Sequence, residues 1–371
     1  MQMKPLPYFE FRDYPAGIEA EVQAAVTHAV AGRQYILGQQ VSHFESAFAS
    51  YLGATAAVGV GNGYDALVLA LKAVGVGPGD EVVLPVHTFI ATVNAVLQVG
   101  AKPVLVEPDS HTCNLTAELA AKAITPKTKA LLPVHLYGQV CAMEPLLQLA
   151  QEHKLKVVED AAQAHGAGYK GQKAGSFGHA SAFSFYPTKN LGALGDAGAV
   201  VTNDTAAADF VRKYRNYGEV QKYHSELIGV NSRLDELQAA VLQVKLSYLN
   251  KFNTARQQLA KLYLQELQEI GDIVLPYTAP GCDHVYHIFQ IRTKHRDALK
   301  AYLQEQGIGT AIHYPVPVHL QPAYRFLGYK AGAFPVAEEL ASSSLSLPLF
   351  PGMQPQELER VVEGVKAFYR K

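Results

Sequence analysis

Asp160 and Lys189 are the two residues whose types and settings could do chemistry together. Asp160 closes the apolar run Val157-Val158-Glu159-Asp160, and Lys189 follows the run Ala182-Phe183-Ser184-Phe185. An amine can form a Schiff base with an aldehyde, and a carboxylate can hold a ring nitrogen protonated. Such a pair, each member just beyond a buried-looking strand, suggests a carbonyl cofactor, provided that both face one site. Each residue also has a plainer reading on its own. A strand-end aspartate serves as often as a helix N-cap, and a loop lysine is ordinarily a solvated surface charge. The neighbours of Lys189 argue against that for the lysine. Phe185, Tyr186 and Pro187 precede it, and Leu191-Gly192-Ala193-Leu194-Gly195 follows. Such surroundings desolvate an amine and lower its pKa towards neutrality, as an imine-forming lysine requires.

A third feature is Gly59-Val60-Gly61-Asn62-Gly63-Tyr64-Asp65, between an apolar run and a helical pattern. Glycines allow close backbone approach, and the free N–H groups of a helix start attract phosphate. A dinucleotide would call for an acidic residue ending the next strand. Here Glu81 precedes that strand and Pro85 ends it, so a single phosphate fits better. The same segment also reads as a tight strand–helix turn without a ligand. The order glycine turn, strand-end aspartate, lysine suggests pyridoxal 5′-phosphate.

These residues need a scaffold. Short runs rich in Val, Leu and Ile fall at 56–60, 81–85, 103–107, 130–134, 156–160, 182–185 and 197–202. They show little alternation, which predicts strands covered on both faces. Helical stretches lie between them at 65–74, 92–99 and 144–152. Alternating elements of this kind predict an α/β fold with a mostly parallel sheet. The last third reads differently. A helical pattern covers 232–249 and continues through 254–270, followed by a strand at 285–292, a helix at 296–306, a Pro-rich loop and a closing helix at 355–368. We therefore expect a large domain over 1–254 and a smaller α/β domain over 255–371.

Composition narrows the function classes. The chain has 371 residues, a net charge of −1 and 49% hydrophobic residues, enough for a sizeable core. Near-neutral charge gives no electrostatic footprint for nucleic acid or an anionic membrane. Cys113, Cys141 and Cys282 show neither metal spacing nor a disulfide framework, so we expect no metal and a reducing, cytoplasmic setting. No apolar run approaches the roughly 18 residues that span a bilayer. The first residues show no secretory signal pattern.

In combination, five motifs carry a resemblance over most of the chain, from about Gly38 to His319. They are Gly63-Tyr64-Asp65-Ala66-Leu67, His87-Thr88-Phe89-Ile90-Ala91-Thr92, Glu159-Asp160-Ala161-Ala162-Gln163-Ala164-His165-Gly166, Ser184-Phe185-Tyr186-Pro187-Thr188-Lys189 and Gly229-Val230-Asn231-Ser232-Arg233-Leu234-Asp235. The chain resembles the DegT/DnrJ/StrS sugar-nucleotide aminotransferases, a group of fold-type-I pyridoxal-phosphate enzymes, which implies a large domain built on a mixed, mostly parallel seven-stranded sheet. The resemblance implies that Lys189 is the Schiff-base lysine and that Asp160 pairs with the pyridine nitrogen. It further implies that Phe89 stacks on the ring and that Gln163 hydrogen-bonds the phenolic oxygen. The phosphate would be held by the backbone N–H groups of Gly63 and Tyr64 and by the Ser184 hydroxyl. Asn231 would reach that phosphate from the partner subunit, implying a homodimer with shared sites. Tyr64 departs from the small hydroxyl residue usual in the family, so a side-chain phosphate contact is lost or altered there.

The resemblance also implies glutamate as amino donor and a nucleotide-linked keto-deoxysugar as acceptor. The segments Gly61-Asn62-Gly63 and His87-Thr88-Phe89 lean towards the branch that aminates dTDP-linked 3-keto-6-deoxyhexoses, giving dTDP-3-amino-3,6-dideoxyhexoses. Amination at C4 remains the alternative. Tyr223, His313, Tyr314 and His319 match variable regions that would line the sugar site, although His313 reads equally well as a packing histidine. Related dehydratases carry histidine where this chain has Lys189, which argues against that activity. A regulatory homologue without turnover is the other alternative, and it would not need every catalytic position filled. O-antigen (lipopolysaccharide), surface-layer glycan and secondary-metabolite pathways are all compatible with the sequence.

Overall fold

The computed structural model describes residues 4–370. Its main sheet has seven strands: β1 Ala56–Val60, β2 Glu81–Pro85, β3 Lys102–Val106, β4 Thr128–Leu131, β5 Lys156–Asp160, β6 Ala180–Ser184 and β7 Gly198–Thr202. Their spatial order is β1-β7-β6-β5-β4-β2-β3. Strands β2 to β6 run parallel, whereas β7 is antiparallel to both β1 and β6. The expected mixed, mostly parallel sheet is observed. The segment from β6 to β7 carries no helix and returns the chain alongside β6, so that Gly198 lies opposite Ser184.

The lack of alternation in these strands has a packing cause, since both faces are covered. Val83, Val157, Phe183 and Val201 join one buried cluster, and Val58, Val158, Ala182 and Val200 join another. Helices Gly63–Ala73, Ile90–Gln98 and Met143–Glu152 appear close to the expected positions. Helices Ile18–Ala31 and Gln39–Leu52 pack on the long helix that follows the sheet.

That long helix, Glu236–Glu266, is continuous, as the pattern running through 232–249 and 254–270 predicts. Asn253 faces inward from it, donating to the His165 carbonyl at 2.8 Å. A correction concerns 285–292, of which only Phe289–Arg292 forms a strand. Its partner is Ser344–Leu347, which the serines obscure in the sequence. Residues 285 and 288 instead hydrogen-bond to the Gly138 and Tyr137 carbonyls.

A third core gathers Leu259, Tyr263, Phe289, Ile291, Leu303, Leu345, Leu347 and Val361, and Leu6 joins it from the N-terminal arm. We propose the division at 254/255 as a division of cores, because in the chain it falls inside the Glu236–Glu266 helix. Among the described residues, no helix is long and apolar enough to cross a membrane. Among the same residues, no group of three or more His, Cys, Asp or Glu could hold a metal ion.

Candidate active site

Strand alternation decides which carboxylate of Glu159-Asp160 faces the chemistry. Glu159 is fully buried and accepts from His135 Nε2 at 2.8 Å, Ser181 Oγ at 2.9 Å and the N–H groups of Gly175, Phe177 and Gly178. Burial pushes its carboxyl up, but the His135 contact and these donors outweigh burial and leave it below its ordinary value. Glu159 is a structural anchor. Asp160 turns the other way, into a cavity of about 510 Å³. Its Oδ2 accepts from Thr92 Oγ1 at 2.8 Å, and Thr88 Oγ1 lies 2.7 Å from Thr92 Oγ1. Thr92 has one hydroxyl proton and gives it to Asp160, so Thr88 must be the donor in the second bond. The Ala162 N–H reaches Asp160 Oδ1 at 3.2 Å. Burial raises the Asp160 carboxyl above its ordinary value, against the opposing pull of Thr92, Ala162 and the Lys189 charge.

Lys189 lines the same cavity. Burial pulls its amine down to about 8, and the Asp160 charge partly opposes that pull. The loop carrying it is pinned from several sides. The Asn190 amide donates to Asn253 Oδ1 at 2.9 Å and to the Val285 carbonyl at 3.1 Å. Lys245 donates to the Gly192 carbonyl at 2.8 Å, and the Leu194 N–H donates to Gln238 Oε1 at 2.9 Å. The long helix therefore fixes the loop from which the amine projects.

The glycine turn sits against the start of this loop. A Cβ at Gly63 would lie 2.4 Å from Ser184 Cβ, and one at Gly198 would lie 2.4 Å from the Asn62 carbonyl oxygen. Only glycines allow this approach. Asn62 caps the Gly63–Ala73 helix by accepting from the Asp65 N–H at 2.8 Å. The N–H groups of that first turn and the Ser184 hydroxyl thus meet in one small cradle, which suits a single phosphate. Tyr64 lines the cavity beside it.

Phe89 is 51% exposed at the start of the Ile90–Gln98 helix and lines the cavity. Its ring lies 5.6 Å from that of Tyr314, tilted by 39°. The orientation of Gln163 is fixed, because its Oε1 accepts from the Tyr137 N–H at 2.7 Å. Its Nε2 donates to the Tyr314 hydroxyl at 3.0 Å and keeps one further N–H. His313 also lines the cavity, with Nδ1 2.8 Å from Ser346 Oγ. Burial pushes it down to about 4, so it stays neutral at working pH.

Lys189, Asp160, Gly63, Tyr64, Phe89, Gln163, Ser184, His313 and Tyr314 therefore converge on one cavity. Three expected residues do not. His319 is 2% exposed, holds Glu338 at 3.0 Å and packs on Phe334, so it is a packing residue rather than a wall of the cavity. Tyr223 is 84% exposed beside the Glu219–Gln221 and His224–Ser225 hairpin, away from this chain's own cavity. Asn231 lies exposed on the following segment, bridging to Asn216. Sequence reading overlooked Thr88, Thr92, Tyr137, Tyr186 and His287. A hydroxyl pair four residues apart at a helix start is a signal for the two threonines. Nothing in Leu136-Tyr137-Gly138 marks the tyrosine.

The profile of the DegT/DnrJ/EryC1/StrS aminotransferase family matches residues 16–366. The chain belongs to this family. It is 48% identical over 97% of its length to a dTDP-3-amino-3,4,6-trideoxy-alpha-D-glucose transaminase of Streptomyces venezuelae, covering 95% of that protein. It is 47% identical over 98% of its length to a dTDP-3-amino-3,6-dideoxy-alpha-D-galactopyranose transaminase of Aneurinibacillus thermoaerophilus, covering 99% of it. The crystal structure of S. venezuelae DesV in complex with a ketimine intermediate superimposes with a TM-score of 0.97 at 47% identity, covering all of both chains. Like its DegT/DnrJ/EryC1/StrS relatives, the chain is a sugar aminotransferase whose cofactor is pyridoxal 5′-phosphate. The glycine cradle, the buried aspartate and the depressed lysine fit the phosphate, the ring nitrogen and the aldehyde of that group.

Proposed function

We propose that this enzyme transfers an amino group from glutamate to a dTDP-linked 3-keto-6-deoxyhexose, giving a dTDP-3-amino-3,6-dideoxyhexose. The observation that carries the reading is the Lys189 amine, held near pKa 8 in a cavity that Asp160 also lines. The 3-amino products named for the two transaminase relatives support amination at C3.

In this reading Asp160 keeps the ring nitrogen protonated, and Phe89 covers one ring face. The free Gln163 N–H meets the phenolic oxygen. Gly63, Tyr64 and Ser184 hold the phosphate. The bound cofactor supplies an electron sink. Lys189 Nζ takes the proton from the donor's Cα and later returns a proton to the sugar carbon, so one amine serves both half-reactions. His313 and Tyr314 wall the sugar.

A second cavity of about 340 Å³ shares Lys189 with the first and offers a place for the nucleotide diphosphate. Lys245 and Arg256 line it, and among the described residues neither has a carboxylate partner. Burial lowers the pKa of both, so a bound anion would relieve that cost.

Asn231 and Tyr223 lie outside this chain's cavity, and we assign them to the site of a partner subunit in a homodimer. Exposed Tyr217, Val220, Ile228 and Val230 on the same segment support an interface there. Free Cys113 and Cys141 suit a cytoplasmic enzyme. The test supplies the purified protein with glutamate and dTDP-linked 3-keto and 4-keto sugars and identifies the products. A 3-amino sugar from the 3-keto substrate is expected. A deoxy sugar, a 4-amino sugar alone or no product would overturn the reading.

A further inference from the structure

We propose that Tyr137 is a positioning residue that locks the His313–Tyr314 wall over the cavity and so sets where the acceptor sugar sits. The proposal rests on the sugar-aminotransferase reading of that cavity. Tyr137 is 5% exposed and belongs to the sheet side of the site, in the segment after β4. Its φ of 58° lies in the left-handed region, which is unfavourable for a non-glycine residue. Packing and hydrogen bonds must hold it there.

Every polar group of the residue is used, two of them across the seam between the sheet and the C-terminal core. The N–H donates to Gln163 Oε1 at 2.7 Å, and the carbonyl accepts from the Ile288 N–H at 3.3 Å. The hydroxyl donates to the His313 carbonyl. Its oxygen also lies 2.9 Å from His87 Nε2. A carbonyl oxygen can only accept, so the single hydroxyl proton is committed to His313. His87 must then donate from Nε2, which fixes its tautomer. Burial pushes His87 down to about 4, so the ring is neutral and this arrangement is the one available at working pH. The next residue reinforces the seam. Gly138 has φ 102°, and a Cβ there would meet the His287 nitrogen at 2.9 Å.

Tyr137 therefore controls the wall from two ends. Its backbone orients Gln163, which holds the Tyr314 hydroxyl, and its side chain holds His313. Tyr137→Phe cuts only the second arm, because it keeps the N–H bond to Gln163. The His313 carbonyl and the His87 N–H then lose their partner in a buried place. Lys189 and Asp160 share no hydrogen bond with the Tyr137 hydroxyl, so the donor half-reaction should be spared.

The two half-reactions of the holoenzyme can be followed separately by stopped-flow through the visible cofactor band. For Tyr137→Phe, the donor half-reaction is expected within about two-fold of wild type. The KM for the dTDP-linked keto sugar is expected to rise roughly ten-fold, with a smaller change in kcat. An equal loss in both halves would mean a merely structural role, and no change in either would mean no role; both overturn the proposal. Should Tyr137→Phe fail to fold, His87→Leu carries the test: it unpins the hydroxyl that holds His313 and predicts a split of the same sign and smaller size. His87→Gln retains a donor and should recover most of the acceptor KM. Failure of the parent reading would show differently, as wild-type enzyme that does not accept the sugar at all.

Discussion

The depressed Lys189 amine makes a quantitative prediction about cofactor capture. An amine must be neutral to attack an aldehyde, so the capture rate by the cofactor-free enzyme tracks the neutral fraction. With the amine at about 8, that fraction is roughly one-tenth at pH 7, one-half at pH 8 and nine-tenths at pH 9. The second-order rate constant should therefore rise roughly ten-fold between pH 7 and pH 9 and then level off. A lysine at the ordinary 10.5 would instead gain roughly 100-fold over that interval and keep climbing past pH 10. The assay is stopped-flow absorbance after mixing cofactor-free enzyme with pyridoxal 5′-phosphate at a series of pH values, with constant ionic strength. Asp160→Asn sharpens it. The Asp160 charge raises the Lys189 pKa, so its loss should move the half-rise to lower pH. The ring contact is lost in that variant too, so the position of the half-rise is the readout rather than the absolute rate. A rate that climbs without a plateau to pH 10, or a half-rise that moves upward in Asp160→Asn, would refute the argument from burial.

Three further outcomes follow from the same geometry. Lys189→Met should stabilise the cofactor-free protein by up to about 3 kcal/mol at pH 7, because a folded pKa of about 8 against 10.5 penalises the charged amine. That gain should shrink as pH rises from about 8 towards 10.5, and urea unfolding at two pH values measures it. Gly63→Ala places a methyl group 2.4 Å from Ser184 Cβ, so cofactor affinity should drop at least ten-fold in equilibrium dialysis while the far-ultraviolet circular dichroism stays unchanged. Glu159→Gln breaks the buried contact with His135 and turns an amide towards backbone N–H donors, so it should cost about 3–5 kcal/mol in chemical denaturation.

Much of this enzyme can be read along the chain because the features concerned are local. Strands β1 to β7 show as apolar runs because both faces of the sheet are buried, and burial on two faces leaves no polar alternation to confuse the pattern. Asp160, Gly63 and Lys189 stand out because each sits at a strand end or turn. What stayed hidden depends on distant partners. Ser344–Leu347 is a strand because Phe289–Arg292 lies beside it. His319 looks like a site histidine until Glu338 and Phe334 are seen to enclose it.

The sequence by itself determined the residue types the chemistry needs: an amine, a carboxylate, a flat aromatic and a glycine turn, each beside a strand or helix end. Composition and motif spacing carry that information because they are properties of short segments. Only the tertiary structure decided that Glu159 is a buried anchor held by His135, that burial brings Lys189 to about 8, and that Tyr137 ties the two cores together over the site. Desolvation and hydrogen-bond geometry depend on which atoms surround a group, and those atoms come from segments far apart in the chain.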